Sequence, residues 1–335
     1  MLKYRYSLLF FYLIFSVVTV AQDNGTFKFE FYNVENLFDT IDDPHKNDNE
    51  FLPTASRHWT GNRYRHKLDQ LSRVIVGSCH WTGPEFVGLA EVENRQVLED
   101  LIRRPNMVKF GYGIIHYESP DRRGIDVAVL YKKSAMNIIS AENIKVSDPT
   151  NVGFATRDIL YVMIELNSKD TLHVYVNHWP SRRGGAVKSA FKRQLASNVL
   201  QKHMAEVKSS WPTAKFMVMG DFNDDPSNES LRRLALKADL KNLASAKEVQ
   251  SEQGSLKYQG QWNYFDQILV SKSWQTSNSS SIGVYSTLTY FSPEWICTKD
   301  IQFGGIKPNR SFSGFNYVGG YSDHFPVVVE LKIRK

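Results

Sequence analysis

Val218-Met219-Gly220-Asp221-Phe222-Asn223-Asp224 is the stretch on which the reading of this chain turns. An apolar strand runs up to Gly220 and stops there, where the missing side chain lets another group come close. Asp221 and Asn223 follow two apart, and in extended backbone such residues point to the same side. A carboxylate able to take a proton from water and a carboxamide able to hold or polarise can therefore face one atom. Taken alone, the same residues also read as a turn rich in Asx capping groups.

Working outward, other short segments carry β-branched or aromatic residues at most positions and read as strands: 27–33, 86–90, 126–131, 159–166, 172–177, 216–220, 265–270 and 325–333. The stretch 64–76, with Leu68, Leu71, Val74 and Ile75 on one face, and the stretch 186–207 read as amphipathic helices. Strands alternating with helices predict a layered α/β architecture. The chain has 335 residues, 42% hydrophobic, 13% aromatic and 23% charged, which excludes a disordered, collagen-like or coiled-coil protein and allows a large core. No repeat, low-complexity tract or linker divides it, so one domain over 22–335 is expected.

The polar residues fall where the strands stop. Asn33, Glu91, His178, Asp221, Asp266 and Asp323 end or flank six of them. A buried strand can carry such a group only where it emerges from its sheet, because an unpaired buried carboxylate is costly. The strand ends should meet at one rim and form a single site. Each motif has a plainer reading as well: a strand-start cap at Ser322 or Asp323, a structural histidine at His178, a helix N-terminal acid at Glu91.

Their joint order is more specific. Asn33-Val34-Glu35, Glu91, Asn177-His178, Gly220-Asp221-Phe222-Asn223, Phe265-Asp266-Gln267 and Ser322-Asp323-His324 together resemble the endonuclease/exonuclease/phosphatase superfamily of metal-dependent phosphoesterases. That superfamily includes pancreatic-type deoxyribonuclease, abasic-site endonucleases, inositol polyphosphate 5-phosphatases and neutral sphingomyelinases. The resemblance covers nearly the whole chain beyond the N-terminal segment.

It implies a four-layer α/β (α+β) sandwich, two packed mixed β-sheets flanked by helices, with the site at one edge of the sheets. It also implies roles. Glu91 would be the metal-binding glutamate, with Asn33, Glu35 and Asp323 on the metal side. Asp221 would orient or deprotonate the attacking water, with Asn223 beside it. His324, oriented by Asp266, would lie against the scissile phosphate. His178 matches the second histidine of the deoxyribonuclease branch, with Asp126 as its orienting acid, and Arg157 resembles that branch's phosphate-contacting arginine.

Carboxylates and carboxamides without nearby cysteine suit Mg²⁺ or Mn²⁺, and also Ca²⁺, rather than zinc. Substrate contacts are expected from Asn177 and from a basic loop, Trp179-Pro180-Ser181-Arg182-Arg183-Gly184-Gly185, to which Arg123 adds. Arginines near aromatic residues suit a polyanionic strand, so an endonuclease-type nuclease is the expected function and nucleic acid the expected partner. A phosphatase or lipid phosphodiesterase is the enzymatic rival, and a non-catalytic binding module the alternative of another class.

Lys3 and Arg5 precede an apolar run over 8–20 that ends in Thr19-Val20-Ala21, the pattern of a secretory signal peptide over 1–21. A run of thirteen residues falls short of the roughly 20 that a spanning helix needs, so export without a stable membrane span is expected. Its removal would take away two of the six surplus positive charges. Cys79 and Cys297 are the only cysteines, and one disulfide between them is left open.

Overall fold

The computed structural model describes residues 25–167, 170–245, 253–276, 282–284 and 287–333. The signal-peptide reading falls on residues outside that set. Two mixed sheets form the centre. The first runs β13 (Ile282–Val284), β19 (Val327–Ile333), β1 (Thr26–Leu37), β2 (Phe86–Val92), β4 (Asp126–Lys132), β3 (Tyr112–His116), with β14 (Thr289–Tyr290) also paired to β19. The second runs β5 (Met136–Ile144), β6 (Ile159–Leu166), β7 (Thr171–His178), β8 (Phe216–Asp221), β12 (Asp266–Ser271), β9 (Leu240–Asn242). β1 with β2 and β7 with β8 are parallel, whereas β12 runs antiparallel to β8 and β19 antiparallel to β1.

Side-chain alternation builds the layers. In β1, Phe27, Phe29 and Phe31 face the inter-sheet core, with Val174 and Val176 of β7, Met217 and Met219 of β8 and Ile268 of β12. The alternate residues Tyr32 and Val34 pack with Leu68, Leu71 and Ile75 of α1 (Gly61–Gly77) and with Leu98 of α2 (Arg95–Ile102). On the other side, Tyr161, Tyr175 and Val218 pack under Leu200 and Met204 of α3 (Ala186–Ser210) and Leu231 and Leu234 of α4 (Glu229–Lys237). Helix, sheet, sheet and helix follow one another, the four-layer sandwich that the resemblance implied. Each fully buried large apolar side chain contributes about 1.5–3 kcal/mol to that stack. No helix among the described residues is long and apolar enough to cross a membrane. Cys79 and Cys297 are both free thiols.

One position in β1 opposes the stacking. Glu30 is fully buried, and while its Oε2 accepts the Ser78 hydroxyl at 2.6 Å, its Oε1 has no partner. Burial therefore pushes its pKa well above the ordinary 4.5. From that value upward the folded chain holds a proton that the unfolded chain has lost, so this group makes stability fall as pH rises. Glu30→Gln should raise the thermal midpoint at pH 8 and lose that advantage at pH 4; an equal shift at both pH values in differential scanning calorimetry would refute the account.

Candidate active site

At one rim the inter-sheet face turns from apolar to polar. Continuing the period-two pattern of Phe29 and Phe31, of Val174 and Val176, of Met217 and Met219, and of Ile268 and Val270 brings Asn33, His178, Asp221 and Asp266 onto that face. All four are buried. The register sets His178 opposite Asp221, and Asp221 opposite Asp266. Gly220 makes the spacing possible, since a Cβ there would lie 2.4 Å from the Asn177 carbonyl oxygen.

Glu91 has the wrong phase and is corrected by a bulge. Val87 and Leu89 face the helices, and so would position 91 in a regular strand. The register shifts between Ala90 and Val92, with Glu91 at φ 65°, and Val92 returns to the helix side. The extra residue turns the carboxylate toward the rim, to 3.9 Å from His178 Nε2. The neighbouring end of β1 is irregular too, with Glu35 and Asn36 at φ 50° and 53°, and the Asn36 amide donates to Glu91 Oε2 at 2.9 Å. Strained backbone of this kind is held in place only by a firm surround.

Asp221 is the hub. Its Oδ2 accepts Asn33 Nδ2 at 3.0 Å and its Oδ1 accepts the Asn223 amide at 2.9 Å. His178 Nε2 lies 3.6 Å and His324 Nε2 4.0 Å from Oδ2. Burial, with the Asp266 charge added, pushes the Asp221 carboxyl up to about 7. His324 Nδ1 sits 2.6 Å from Asp266 Oδ2. Burial disfavours the imidazolium there, yet the Asp266 carboxylate, with Asp221 and Asp323 behind it, holds the pKa well above the usual histidine value. His178 goes the other way: burial, then the Arg157 and Arg123 guanidiniums and His324, push it well below that value. The rim imidazoles are thus driven in opposite directions, one toward its charged form and one toward its neutral form, an arrangement suited to dividing acid from neutral hydrogen-bonding duties.

Other expected site residues are placed differently. Glu35 gives Oε1 to Arg310 Nε at 3.2 Å and Oε2 to the Ser311 amide at 2.7 Å, with Lys67 Nζ 3.8 Å away. With both oxygens engaged, it does not join an open oxygen set. Asp126 does not orient His178, whose Nδ1 is buried without a partner; Asp126 instead accepts the Ser119 amide and faces His116. Arg157 is buried, donating to Asp121 Oδ2 at 3.0 Å and to the Trp179 carbonyl at 2.6 Å. Asn177 spends its carboxamide on Trp179 Nε1 and the Met219 carbonyl, which fixes the strand end rather than presenting a group to solvent. Arg182 is tied to the Asn223 carbonyl, Asp225 and Asn228, whereas Arg183 is exposed and Arg123 half-exposed. Asp323 is brought to the rim, with Oδ1 4.0 Å from His324 Nε2 and Oδ2 accepting Arg310 Nη2 at 3.0 Å.

Three supporting residues show their roles only in the fold. Ser322 donates to the Asn33 carbonyl at 2.7 Å and accepts the His324 amide at 3.1 Å, locking β1 to the final motif. Lys67 is fully buried and bonds Ser311 Oγ at 2.7 Å. A lysine beside Leu68 on the buried face of α1 is the signal that would have flagged it. Arg310 bridges Glu35 and Asp323 from a segment whose sequence has no periodicity.

Similar folds occur among solved structures. The catalytic domain of human nocturnin, with bound sulfate, superposes with a TM-score of 0.58 at 16% identity, covering 93% of this chain and 96% of that one. A mannosyl-6-phosphatase of Bacteroides thetaiotaomicron gives 0.58 at 16% identity, with 91% and 99% covered. D. rerio TDP2 complexed with a single-strand DNA product gives 0.56 at 14% identity, with 92% and 99% covered. Among curated proteins no sequence matches this chain. The sequence pattern of the endonuclease/exonuclease/phosphatase family matches residues 28–333, and with the four-layer fold and the rim just described, the chain belongs to that family of hydrolases acting on phosphoester bonds.

Proposed function

We propose that the protein is a metal-dependent phosphodiesterase of the endonuclease type, hydrolysing nucleic-acid phosphodiester bonds by attack of an activated water. The observation that carries the nucleic-acid reading is the cleft beside Asp266. It measures about 750 Å³ and is lined by Arg182, Arg183, Gly184, Tyr258 and Phe265 among others. Leu256, also on its wall, pairs with His324 by a backbone bridge. Arg183 and Tyr258 are exposed in it, and the Arg182 guanidinium lies over the Phe265 ring at 4.5 Å. The Arg183 cation for a phosphate and the Tyr258 ring for a base suit a strand continuing past the scissile bond, whereas a small monoester has nothing to place there.

Within this reading Asp221 orients the water and accepts its proton, and Asn33 and the Asn223 amide fix the carboxylate. His324 donates to a non-bridging or leaving oxygen, and Asp266 holds its ring. Neutral His178 donates a second hydrogen bond to the phosphate through its ring N–H. Glu91 and Asp323, with the Asn33 side chain beside them, form an oxygen donor set that fits a hard divalent ion, Mg²⁺ or Mn²⁺. Glu91 Oε1 is the group left open for it. When bound, such an ion supplies Lewis-acid neutralisation of the phosphoryl charge.

A turnover panel with Mg²⁺ or Mn²⁺ tests the proposal: single- and double-stranded DNA, RNA, sphingomyelin, inositol phosphates and a sugar monophosphate. Nucleic acid should be cleaved with turnover well above the others, and EDTA should abolish it. Activity confined to monoesters or lipids overturns the nuclease reading and favours the phosphatase or lipid phosphodiesterase alternative.

A further inference from the structure

We propose a second metal site on the same rim, formed by His116, Glu118 and Asp126 and suited to zinc. His116 ends β3 and Asp126 opens the antiparallel β4, so their side chains meet at the edge of the first sheet. β4 lies two strands from β1, which puts the cluster roughly 10 Å from Asn33 at about 4.8 Å per strand. It shares no residue with the site described above.

The geometry asks for an ion. One ligand atom from each of the three residues lies within 4.8 Å of the others. The His116 and Asp126 side chains are 4% and 1% exposed, and His116 Nε2 and Asp126 Oδ2 are both buried with no hydrogen-bond partner. They stand 3.4 Å apart without forming a hydrogen bond. Ligands about 2.0–2.2 Å from a tetrahedral ion are separated by about that distance. The other oxygen of Asp126 accepts the Ser119 amide at 2.9 Å, the kind of outer contact that fixes a ligand's direction. The Ser119 hydroxyl is also buried and unpartnered.

Charge points the same way. Glu118 closes the cluster from the solvent side, with its side chain 58% exposed. Two carboxylates so near one another need a cation or a proton between them. Lys46 Nζ, 3.7 Å from Glu118 and bonded to the Ser119 carbonyl, offsets part of the charge from outside. One imidazole and two carboxylates with an open fourth position favour zinc over the magnesium-type ions that prefer all-oxygen sets. Occupied, the site would tie β3 and β4 to the loop over 118–125, which carries Asp121, the partner of Arg157, and Arg123.

The test is zinc titration of the full chain by calorimetry, after EDTA stripping and with excess Mg²⁺ to fill the first site. Wild type should take up one equivalent, His116→Ala should take up none, and Glu118→Gln should bind at least about 10-fold more weakly. Glu118 is exposed, so its variant keeps the fold and separates ligand loss from unfolding. Co²⁺ in place of zinc should give the strong visible absorption of a four-coordinate ion in wild type and not in His116→Ala. Absence of zinc uptake by wild type, as a shared proton would produce, or uptake unchanged in both variants, overturns the site.

Discussion

Asp221→Asn should hydrolyse bis-p-nitrophenyl phosphate at least about 10²-fold more slowly than wild type, the scale on which a positioned base contributes. The substitution preserves shape. Asn at 221 offers one acceptor oxygen where the carboxylate offers two, so it can accept the Asn223 amide or the Asn33 carboxamide but not both. What it removes is the group able to take a proton from water.

For stability the same change has two opposed effects, a lost acceptor and the relief of a buried charge. Burial and Asp266 raise the Asp221 pKa from 3.8 to about 7, so between those values the folded chain binds a proton that the unfolded chain has released. The contribution of this carboxyl is greatest below pH 3.8 and is lost as pH rises through about 7. In metal-free protein the midpoint of Asp221→Asn relative to wild type should therefore be higher at pH 8, where wild type bears that penalty, than at pH 4. A catalytic group held against the interest of the fold is what a functional site leads one to expect. Activity within a few-fold of wild type, or a midpoint difference in EDTA that does not change between pH 4 and pH 8, would count against the assignment of Asp221.

The difference between what could and could not be read in advance has physical causes. β6 was legible to the residue because Ile159 to Leu166 is buried nearly throughout and every position selects for β-branched or apolar side chains. β5 was not, since it is the edge of its sheet and most of its residues see solvent, which leaves no pattern to read. α2 and α4, at eight and nine residues, are too short to display a stripe clearly. In the site, the residues brought together at the rim announced themselves by closing apolar strands. Glu35 could not be told from a ligand, because its partners Lys67 and Arg310 lie 32 and 275 positions away and only the fold brings them near. Asp126 and His116 form a local pair across one hairpin, but nothing in the sequence said that His178 would be left without an orienting acid.

Glu91 and Glu35 provide the sharpest contrast between the carboxylate proposed to hold the metal and one engaged by cations of the protein itself. Both follow bulged strand ends, and both have positive φ. Glu91 keeps Oε1 open toward the rim while Oε2 holds the Asn36 amide, a bond that Gln can also accept. Glu91→Gln should thus retain its backbone geometry and lose its charge. Turnover at low Mn²⁺ should fall by about 10²-fold or more, with partial recovery as Mn²⁺ is raised, because the defect is in holding the ion that neutralises the phosphoryl oxygens. Glu35→Gln should behave in the reverse sense. Its carboxylate answers Lys67, Arg310 and the Ser311 amide, so the variant leaves a buried ammonium short of a counter-charge and should lower the thermal midpoint while the Mn²⁺ concentration for half-activation stays within a few-fold of wild type. Activity titrations against Mn²⁺, paired with melting curves, decide between the two. If Glu35→Gln raised the metal requirement as much as Glu91→Gln, the donor set would have to include both carboxylates, and the bridge through Arg310 would have to open when the ion enters.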